Sequence, residues 1–172
     1  MLWTKTQSKR TALMADPMRL ALLLLTLLLA SCGGPTARFE TQEVAVDATS
    51  AAELISRYRA SRGLPPVSAD SRLNRMAAAQ ARANAEIGEL SHEVGGSFPA
   101  RLASFGAAER GRAAENLAAG GSSLEGTIEQ WKRSPEHNKN LLMREAAQIG
   151  IARVDAPGTR YKHFWALVLA DR

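Results

Sequence analysis

The sequence has few residues of several types, and each scarcity excludes some kinds of fold or stabilisation. Cys32 is the only cysteine among 172 residues, so no disulfide can form within the chain. Aromatic residues make up 5% of the sequence, and there are three histidines. No apolar run reaches the roughly 20 residues that a membrane-spanning helix needs. Packing alone must therefore hold whatever fold the chain adopts.

The N-terminus contains a short apolar run at residues 20–30, nearly all leucine, directly after an arginine. A basic residue, a short apolar stretch and small residues are typical of a signal peptide. We predict a signal peptide over residues 1–31, because a buried core helix would need a polar face toward water. Met1, Met14 and Met18 all remain possible start residues.

Residues 29–32, Leu-Ala-Ser-Cys, resemble the bacterial lipobox. In that pattern the cysteine thiol is joined to diacylglycerol, the peptide is cut just before it, and the new N-terminus is acylated, for example with palmitate. Each buried CH₂ contributes roughly 0.8 kcal/mol to membrane binding. Lipidated Cys32 is thus predicted to anchor the protein to a membrane of the cell envelope, facing the periplasm or the exterior. Gly33, in place of aspartate, resembles the signal for the outer membrane in a diderm host.

The part after the predicted cleavage point is almost neutral. It carries 18 basic and 16 acidic residues, a net charge of +2. This balance is typical of a solvated mixed-charge surface, so nucleic acid is not expected as a partner. At 141 residues, this part suits one domain. We expect a lipidated N-terminus and tether over residues 32–48 and a globular domain over residues 49–172.

Apolar spacing and capping residues predict mainly helices in the first part of the domain. The predictions are a helix from Thr49-Ser50 to Ala60, a helix from Asp70 or Ser71 to about Leu90, an irregular glycine-rich stretch over 94–121 with a short helix at 99–105, a helix from a Ser122–Glu125 capping box to about Arg133, and a short helix from Pro135 to about Leu142 with Ser134 as its N-cap.

Near the C-terminus the spacing of apolar residues changes from the helical period to alternation, a period of two residues. Residues 148–154 and 161–170 are predicted as two strands joined by a turn-forming loop. Both faces of the last strand are mostly apolar, with Trp165 on one face and Phe164 on the other. We therefore expect that strand to be central and covered by helices on both sides.

Three polar residues, His92, Glu115 and His137, lie at the starts or ends of predicted elements, where side chains can converge. Two imidazoles and a carboxylate can bind zinc with one coordination position open. They can equally serve as a general acid–base set. The alternative for each residue is an ordinary surface or capping role, and the spacing alone does not choose between these possibilities.

The order of several segments resembles the CAP superfamily, the cysteine-rich secretory, antigen 5 and pathogenesis-related proteins with their bacterial SCP-like relatives. No single segment is specific to this superfamily, but five segments in this order and at this spacing are specific. The matching segments are residues 54–66, Leu90-Ser91-His92, Glu115-Asn116-Leu117-Ala118, Trp131 with Ser134-Pro135, His137 and Leu141, and Ile149-Gly150-Ile151-Ala152 with the Trp165 strand.

The resemblance implies an α+β fold, an α-β-α sandwich with a small antiparallel sheet between helical layers. It also implies a groove lined by two histidines and two glutamates, which can hold zinc or another divalent metal. His92, Glu115 and His137 match the first histidine, the first glutamate and the second histidine. The second glutamate, which follows Trp131 in many relatives, is unmatched, because Lys132 and Arg133 stand there; Glu129 and Glu136 are nearby without a motif.

Asn116 and Trp131 are assigned structural roles at this groove. Asn116 is expected to hydrogen-bond backbone around the 106–121 loop, and Trp131 to fill core space. His163 is expected to be a half-buried packing residue, since no family motif supports it as a ligand.

These observations favour a lipid-anchored binding module of the cell envelope. Its groove would take a small apolar ligand, a cell-wall polymer or another protein. One alternative is a metal-assisted, protease-like hydrolase using the same residues. A second alternative is a structural envelope protein with a vestigial groove. The ligand and the oligomeric state are not readable from the sequence.

Overall fold

The computed structural model describes residues 38–106 and 111–171. The predicted signal peptide, Cys32 and the first residues of the predicted tether lie outside these ranges. Residues Ala37–Arg172 form one compact unit. Within the described ranges, no helix is both long enough and apolar enough to cross a membrane.

Helices and short strands alternate along the described chain. The helices are α1 (Ala48–Ala60), α2 (Ser71–Ile87), α3 (Phe98–Ser104), α4 (Leu124–Arg133) and α5 (Pro135–Leu141). The strands are β1 (Gln42–Val44), β2 (Ser68–Ala69), β3 (Ala113–Ala119), β4 (Gln148–Ala156) and β5 (Lys162–Ala170).

All five strands belong to one sheet with the order β1-β4-β5-β3, and β2 forms a short parallel pair with β4. β4 and β5 make an antiparallel hairpin in which Ile151 lies opposite Leu167. β3 pairs antiparallel with the other side of β5 and is an edge strand. The prediction that the last strand is central is confirmed.

Two hydrophobic cores lie on opposite faces of the sheet. On one face, Trp165, Leu167 and Leu169 of β5 pack with residues of α1, α4 and α5. On the other face, Phe164, Ala166 and Val168 pack with residues of α2 and α3. Full burial of one large apolar side chain is worth about 1.5–3 kcal/mol, so these layers supply the main drive for folding. The fold is the predicted α-β-α sandwich.

Local capping sets where the first two long helices begin. The carboxylate of Asp47 accepts a hydrogen bond from the Thr49 amide at 2.9 Å, so Asp47 is the N-cap of α1 and not the predicted Thr49-Ser50 pair. Asp70 caps α2 as predicted, accepting from the amides of Arg72 and Leu73. α2 ends at Gly88 (φ 73°), earlier than the predicted end near Leu90, because glycine adopts this left-handed conformation without strain.

The two following helices differ in their caps. Ser123 is the N-cap of α4 and accepts from the Gly126 amide at 3.1 Å. Glu125 therefore occupies the second helical position, and the predicted Ser122–Glu125 capping box does not form. α5 begins at Pro135 with Ser134 before it, as predicted, although the Ser134 side chain makes no capping hydrogen bond.

Two stretches are more ordered than the sequence indicates. Residues 42–44, placed in the predicted tether, form β1 and pair with residues 153–155 of β4. Residues 113–119, placed in the predicted irregular stretch, form β3. Both strands exist because longer strands offer them pairing partners, which a local reading of the sequence does not reveal.

Candidate functional site

Four of the predicted site residues, His92, Glu115, Asn116 and His137, gather at β3. Alternate residues of this strand point to opposite faces of the sheet. Glu115 lies on the face that carries α2 and α3, and Asn116 lies on the face that carries α5. Because β3 is an edge strand, elements from both helical layers can meet over it.

Glu115 is a buried carboxylate held by an arginine. Its side chain is 2% exposed, and that of Arg101 in α3 is 5% exposed. Arg101 Nη1 donates to Glu115 Oε2 at 2.6 Å, and Nη2 donates to Oε1 at 3.0 Å. Arg101 also donates to the carbonyls of Gly96 and His92. The guanidinium thus neutralises the carboxylate and ties the loop before α3 to β3.

His92 lies on the loop after α2, and two buried amides of α2 fix this loop. Gln80 Nε2 donates to the Ser91 carbonyl at 2.6 Å, and the Ser91 amide donates to Asn84 Oδ1 at 2.9 Å. His92 Nδ1 lies 2.8 Å from Glu115 Oε1. Since the carboxylate accepts, Nδ1 carries the proton and Nε2 is left free in the neutral ring. The His92 side chain is 53% exposed, so solvent can reach this site.

α5 is fastened to β3 by two asparagines. Asn116 Nδ2 donates to the His137 carbonyl at 3.0 Å. Asn140 Nδ2 donates to Asn116 Oδ1 at 2.9 Å and to the Glu115 carbonyl at 3.3 Å. Asn116 does bond backbone, but its partner lies in α5 and not in the predicted 106–121 loop. These bonds also cover the exposed edge of β3.

The His137 imidazole lies near His92 and is partly buried. Burial lowers the pKa of His137 below its usual 6.5, electrostatic interaction with the His92 imidazole lowers it further, and Glu136 opposes both effects. His137 Nδ1 is buried and has no hydrogen-bond partner among the described residues. The structure therefore brings His92 and Glu115 into direct contact, and the lowered pKa of the nearby His137 favours its neutral form.

His137 is expected to titrate below pH 6.5 in the folded protein. The unfolded chain then binds more protons than the folded chain as the pH falls through 6.5, so the contribution of His137 to stability is present above pH 6.5 and is lost below it. The ¹H–¹³C NMR titration of the imidazole measures this pKa directly. A pKa at or above 6.5 would contradict the burial of the ring.

Trp131 belongs to the core. Its side chain is fully buried, and Nε1 donates to the Leu117 carbonyl at 3.1 Å. It packs under β3 on the sheet face that carries α1, α4 and α5, and it does not line a groove. At the unmatched position after Trp131, the Lys132 ammonium lies 4.6 Å from the ring centroid of Tyr58 and pairs with Glu129. A cation thus stands where many relatives have the second glutamate.

His163 lies outside this site. Its Nδ1 is 3.0 Å from Asp155 Oδ1 and 2.9 Å from an Arg153 nitrogen. Asp155 also accepts two hydrogen bonds from Arg153. The half-buried position is as predicted, but polar bonding holds the ring as well as packing.

The donor set does not fit a divalent metal. Across residues 38–106 and 111–171, no three His, Cys, Asp or Glu side chains are grouped so that they could hold a metal ion. Both Glu115 oxygens face the Arg101 guanidinium, whose charge repels a second cation. The two imidazoles remain, without a third ligand. Zinc binding by His92, His137 and Glu115 is thus a prediction that this geometry does not favour.

Sequence reasoning missed Arg101 and Asn140, which organise the site. Arg101 gave no signal, because an arginine in a short helix is usually a solvated residue. Asn140 did carry a weak signal, since it follows His137 by three residues and so shares a helix face with it. Its contact with β3 depends on the tertiary fold.

Comparisons with known proteins agree with this architecture. The model of a protein family described as CAP, the cysteine-rich secretory protein family, matches residues 52–169. A search of curated proteins gave no significant match. The chain is also similar to several solved structures that share its fold.

An extracellular protein containing an SCP domain from Bacillus anthracis matches with a TM-score of 0.62 and 22% identity, over 72% of this chain and 39% of that chain. An outer surface protein from Borrelia burgdorferi matches with a TM-score of 0.61 and 20% identity, over 76% and 99% of the two chains. A cysteine-rich secretory protein from Staphylococcus aureus matches with a TM-score of 0.56 and 18% identity, over 73% and 38%. This chain thus spans less than half the length of the Bacillus and Staphylococcus proteins.

Proposed function

The chain belongs to the CAP family of cysteine-rich secretory proteins, and on that premise we propose that it is a binding module of the cell envelope. The observation that carries the proposal is the state of Glu115. Three donors, two from Arg101 and one from His92, occupy its carboxylate. A carboxylate paired in this way orients its neighbours and is poorly suited to act as a base or a nucleophile.

The site offers no activated nucleophile among the described residues. The side chain of His92 is hydrogen-bonded to Glu115, and neither it nor that of His137 bonds to a serine, threonine or cysteine side chain. Nucleophilic catalysis needs such a pair within hydrogen-bond reach. What remains are two imidazoles that can each donate or accept a hydrogen bond, as a binding site requires.

The surroundings of the site favour a polar ligand. Asn138 accepts a hydrogen bond from the Tyr58 hydroxyl at 2.7 Å, and Glu136 lies near His137. These contacts join polar and charged groups, which a ligand with hydroxyl or amide groups can pair with. A cell-wall polymer rich in hydroxyl and amide groups fits the available donors and acceptors.

A hydrolase is the second candidate, and one contact favours it. The Glu115 carboxylate orients the His92 ring and leaves Nε2 free, as a general base requires. Arg101 weakens this reading, because its guanidinium already neutralises the carboxylate that would stabilise a protonated His92. Water activation by His92 would then rest on the imidazole alone.

The location is proposed from the lipobox-like residues 29–32. Acylation of Cys32 would hold the domain at a membrane of the cell envelope, facing the periplasm or the exterior. Metabolic labelling with palmitate should mark the wild-type protein and leave the Cys32→Ser variant unlabelled. Equal labelling of both proteins would place the lipid elsewhere.

Binding to purified peptidoglycan sacculi tests the proposed function. We expect residues 33–172 to cosediment with sacculi and the His92→Ala/His137→Ala variant to bind about tenfold more weakly, since two hydrogen bonds of about 0.5–1.5 kcal/mol each are lost. His163→Ala is the matched control, because this partly buried histidine lies outside the site.

The same assay separates the alternatives. Release of soluble fragments by the wild type, abolished in the double histidine variant, would establish the hydrolase instead. Failure of the wild type to bind sacculi would overturn the proposed ligand. Binding that the double variant retains would place the binding surface elsewhere on the domain.

Zinc retention has a definite expectation from the same geometry. Native mass spectrometry of residues 33–172, loaded with zinc and desalted, should show metal-free wild-type protein. Arg101→Gln frees the Glu115 oxygens and should gain zinc that His92→Ala/His137→Ala removes. Stoichiometric zinc on the wild type, lost in the double variant, would show that the three predicted ligands do bind metal.

A further inference from the structure

Large apolar side chains that the described residues expose gather at one end of the domain. They are Phe39, Ile87, Leu90 and Tyr161, each 40–43% exposed. Leu90 and Tyr161 line one open cleft of about 480 Å³ together with Gly88, which directly follows Ile87. We call Phe39, Ile87, Leu90, Arg160 and Tyr161 the end face.

The Phe39 ring belongs to this surface because two glycines make room for it. A Cβ added to Gly88 would lie 2.8 Å from Phe39 Cε2, and one added to Gly158 would lie 3.3 Å from Cδ1. The Phe39 amide also donates to the Glu86 carbonyl at 2.9 Å. The ring is thus held against the domain with 40% of the residue facing solvent.

Two arginines lie at this surface, Arg160 within the end face and Arg38 beside it. The Arg38 side chain is 69% exposed and pairs with Glu86, and the Arg160 guanidinium lies 5.6 Å from the ring centroid of Tyr161. Glu86 and Glu89 balance these two arginines, so the charges at this surface sum to zero while the guanidinium groups remain available to anionic groups. Aromatic rings beside arginines are typical of the residues that lie at the headgroup level of a membrane.

The number of residues after Cys32 limits how far the start of the domain can lie from an anchor at that residue. Five residues lie between Cys32 and Arg38, and the six steps that join their Cα atoms span at most roughly 20 Å at 3.3–3.6 Å per residue. An acyl group on Cys32 would therefore keep the end face within one short tether of the lipid.

We infer that the end face docks on the lipid surface that holds Cys32. The inference rests on the anchor proposed above. Phe39, Leu90 and Tyr161 enter the headgroup region, and Arg38 and Arg160 contact lipid phosphates. A short tether raises the effective concentration of lipid at this surface and adds to the contacts that the end face makes without the anchor.

Vesicle binding by the unlipidated domain tests the end face without the anchor. Residues 33–172 contain the whole compact unit Ala37–Arg172 and lack Cys32. We expect them to cosediment with vesicles of phosphatidylethanolamine and phosphatidylglycerol, and more weakly with phosphatidylcholine alone. Leu90→Asn/Tyr161→Asn should reduce this partition by about tenfold, because two partly exposed apolar side chains no longer leave water.

Two further variants complete the comparison. Leu64→Asn is the matched control, a half-buried leucine in the loop after α1 that is outside the end face. Leu90→Trp should strengthen binding, and sedimentation of the same variant without vesicles separates this gain from aggregation. Circular dichroism verifies that each variant is folded.

The outcomes separate this inference from the proposed function. Vesicle binding that Leu90→Asn/Tyr161→Asn leaves unchanged, or no binding by the wild-type domain, overturns the end face as a lipid contact. Sacculus binding depends on His92 and His137 and fails independently. Loss of vesicle binding in the double histidine variant, with the end-face variant unaffected, would assign lipid contact to the His92 site.

Discussion

Replacing Arg101 with leucine should lower the free energy of unfolding by about 3–5 kcal/mol. The change leaves the Glu115 carboxylate, whose side chain is 2% exposed, with His92 as its remaining side-chain partner. It also removes the bonds to the carbonyls of Gly96 and His92. Urea unfolding followed by circular dichroism measures the loss.

Two further variants show whether loss of the buried Arg101–Glu115 pair causes this drop in the free energy of unfolding. Arg112→Leu is the matched control, because Arg112 pairs with Glu145 on the surface, where its side chain is 74% exposed. Exposed pairs contribute about 0–1 kcal/mol. Arg101→Leu/Glu115→Leu should recover much of the stability, since no uncompensated charge then remains buried. An Arg101→Leu effect as small as that of Arg112→Leu would contradict the buried ion pair.

The same variant has a second consequence for the site. Arg101 holds the carbonyl of His92, so its loss frees the loop before α3. His92 then keeps only its contact with Glu115 and the α2 amides behind Ser91. Sacculus binding should weaken with Arg101→Leu even at temperatures where the protein is fully folded.

The elements that the sequence predicted are those with strong local signals. α2 has an Asp70 cap and a regular apolar face, and β5 has apolar residues on both faces. β3 was missed because its sequence, Ala-Ala-Glu-Asn-Leu-Ala-Ala, contains no β-branched residue and four alanines, which favour helix. Pairing with β5 overrides that preference, and only the assembled sheet supplies this partner.

The residues of the site also fall into those that the sequence predicted and those that it did not. His92 and Glu115 were predicted from the order of the family segments, and the structure brings them to 2.8 Å. Arg101 could not be predicted, because the partner of a buried carboxylate depends on which element of the fold packs over it. Arg101 changes the chemistry of the site, because its guanidinium converts Glu115 from a candidate metal ligand into half of an ion pair. The order of the family segments thus pointed to His92 and Glu115, but it did not reveal that Arg101 neutralises the Glu115 carboxylate.

Gly150→Ala should cost about 3 kcal/mol or more, at or above the upper end of the usual range for overpacking. A Cβ at this position of β4 would lie 1.9 Å from the Leu73 carbonyl carbon and 2.2 Å from the Asn74 nitrogen, both backbone atoms of α2. α2 must then move off the sheet and stretch the bond from the Ile151 amide to Asn74 Oδ1, now 2.9 Å. Urea unfolding measures the cost.

The matched control for Gly150→Ala is Gly126→Ala in α4. There a Cβ would meet only the Ser123 hydroxyl at 3.0 Å, and the helix gains up to about 1 kcal/mol from alanine. Because α2 also carries Gln80 and Asn84, its displacement should shift the NMR signals of His92 as well as lower stability. Equal stabilities for the two variants would mean that α2 does not approach β4 this closely. A stability loss with unchanged His92 signals would show that the His92 loop keeps its place independently of α2.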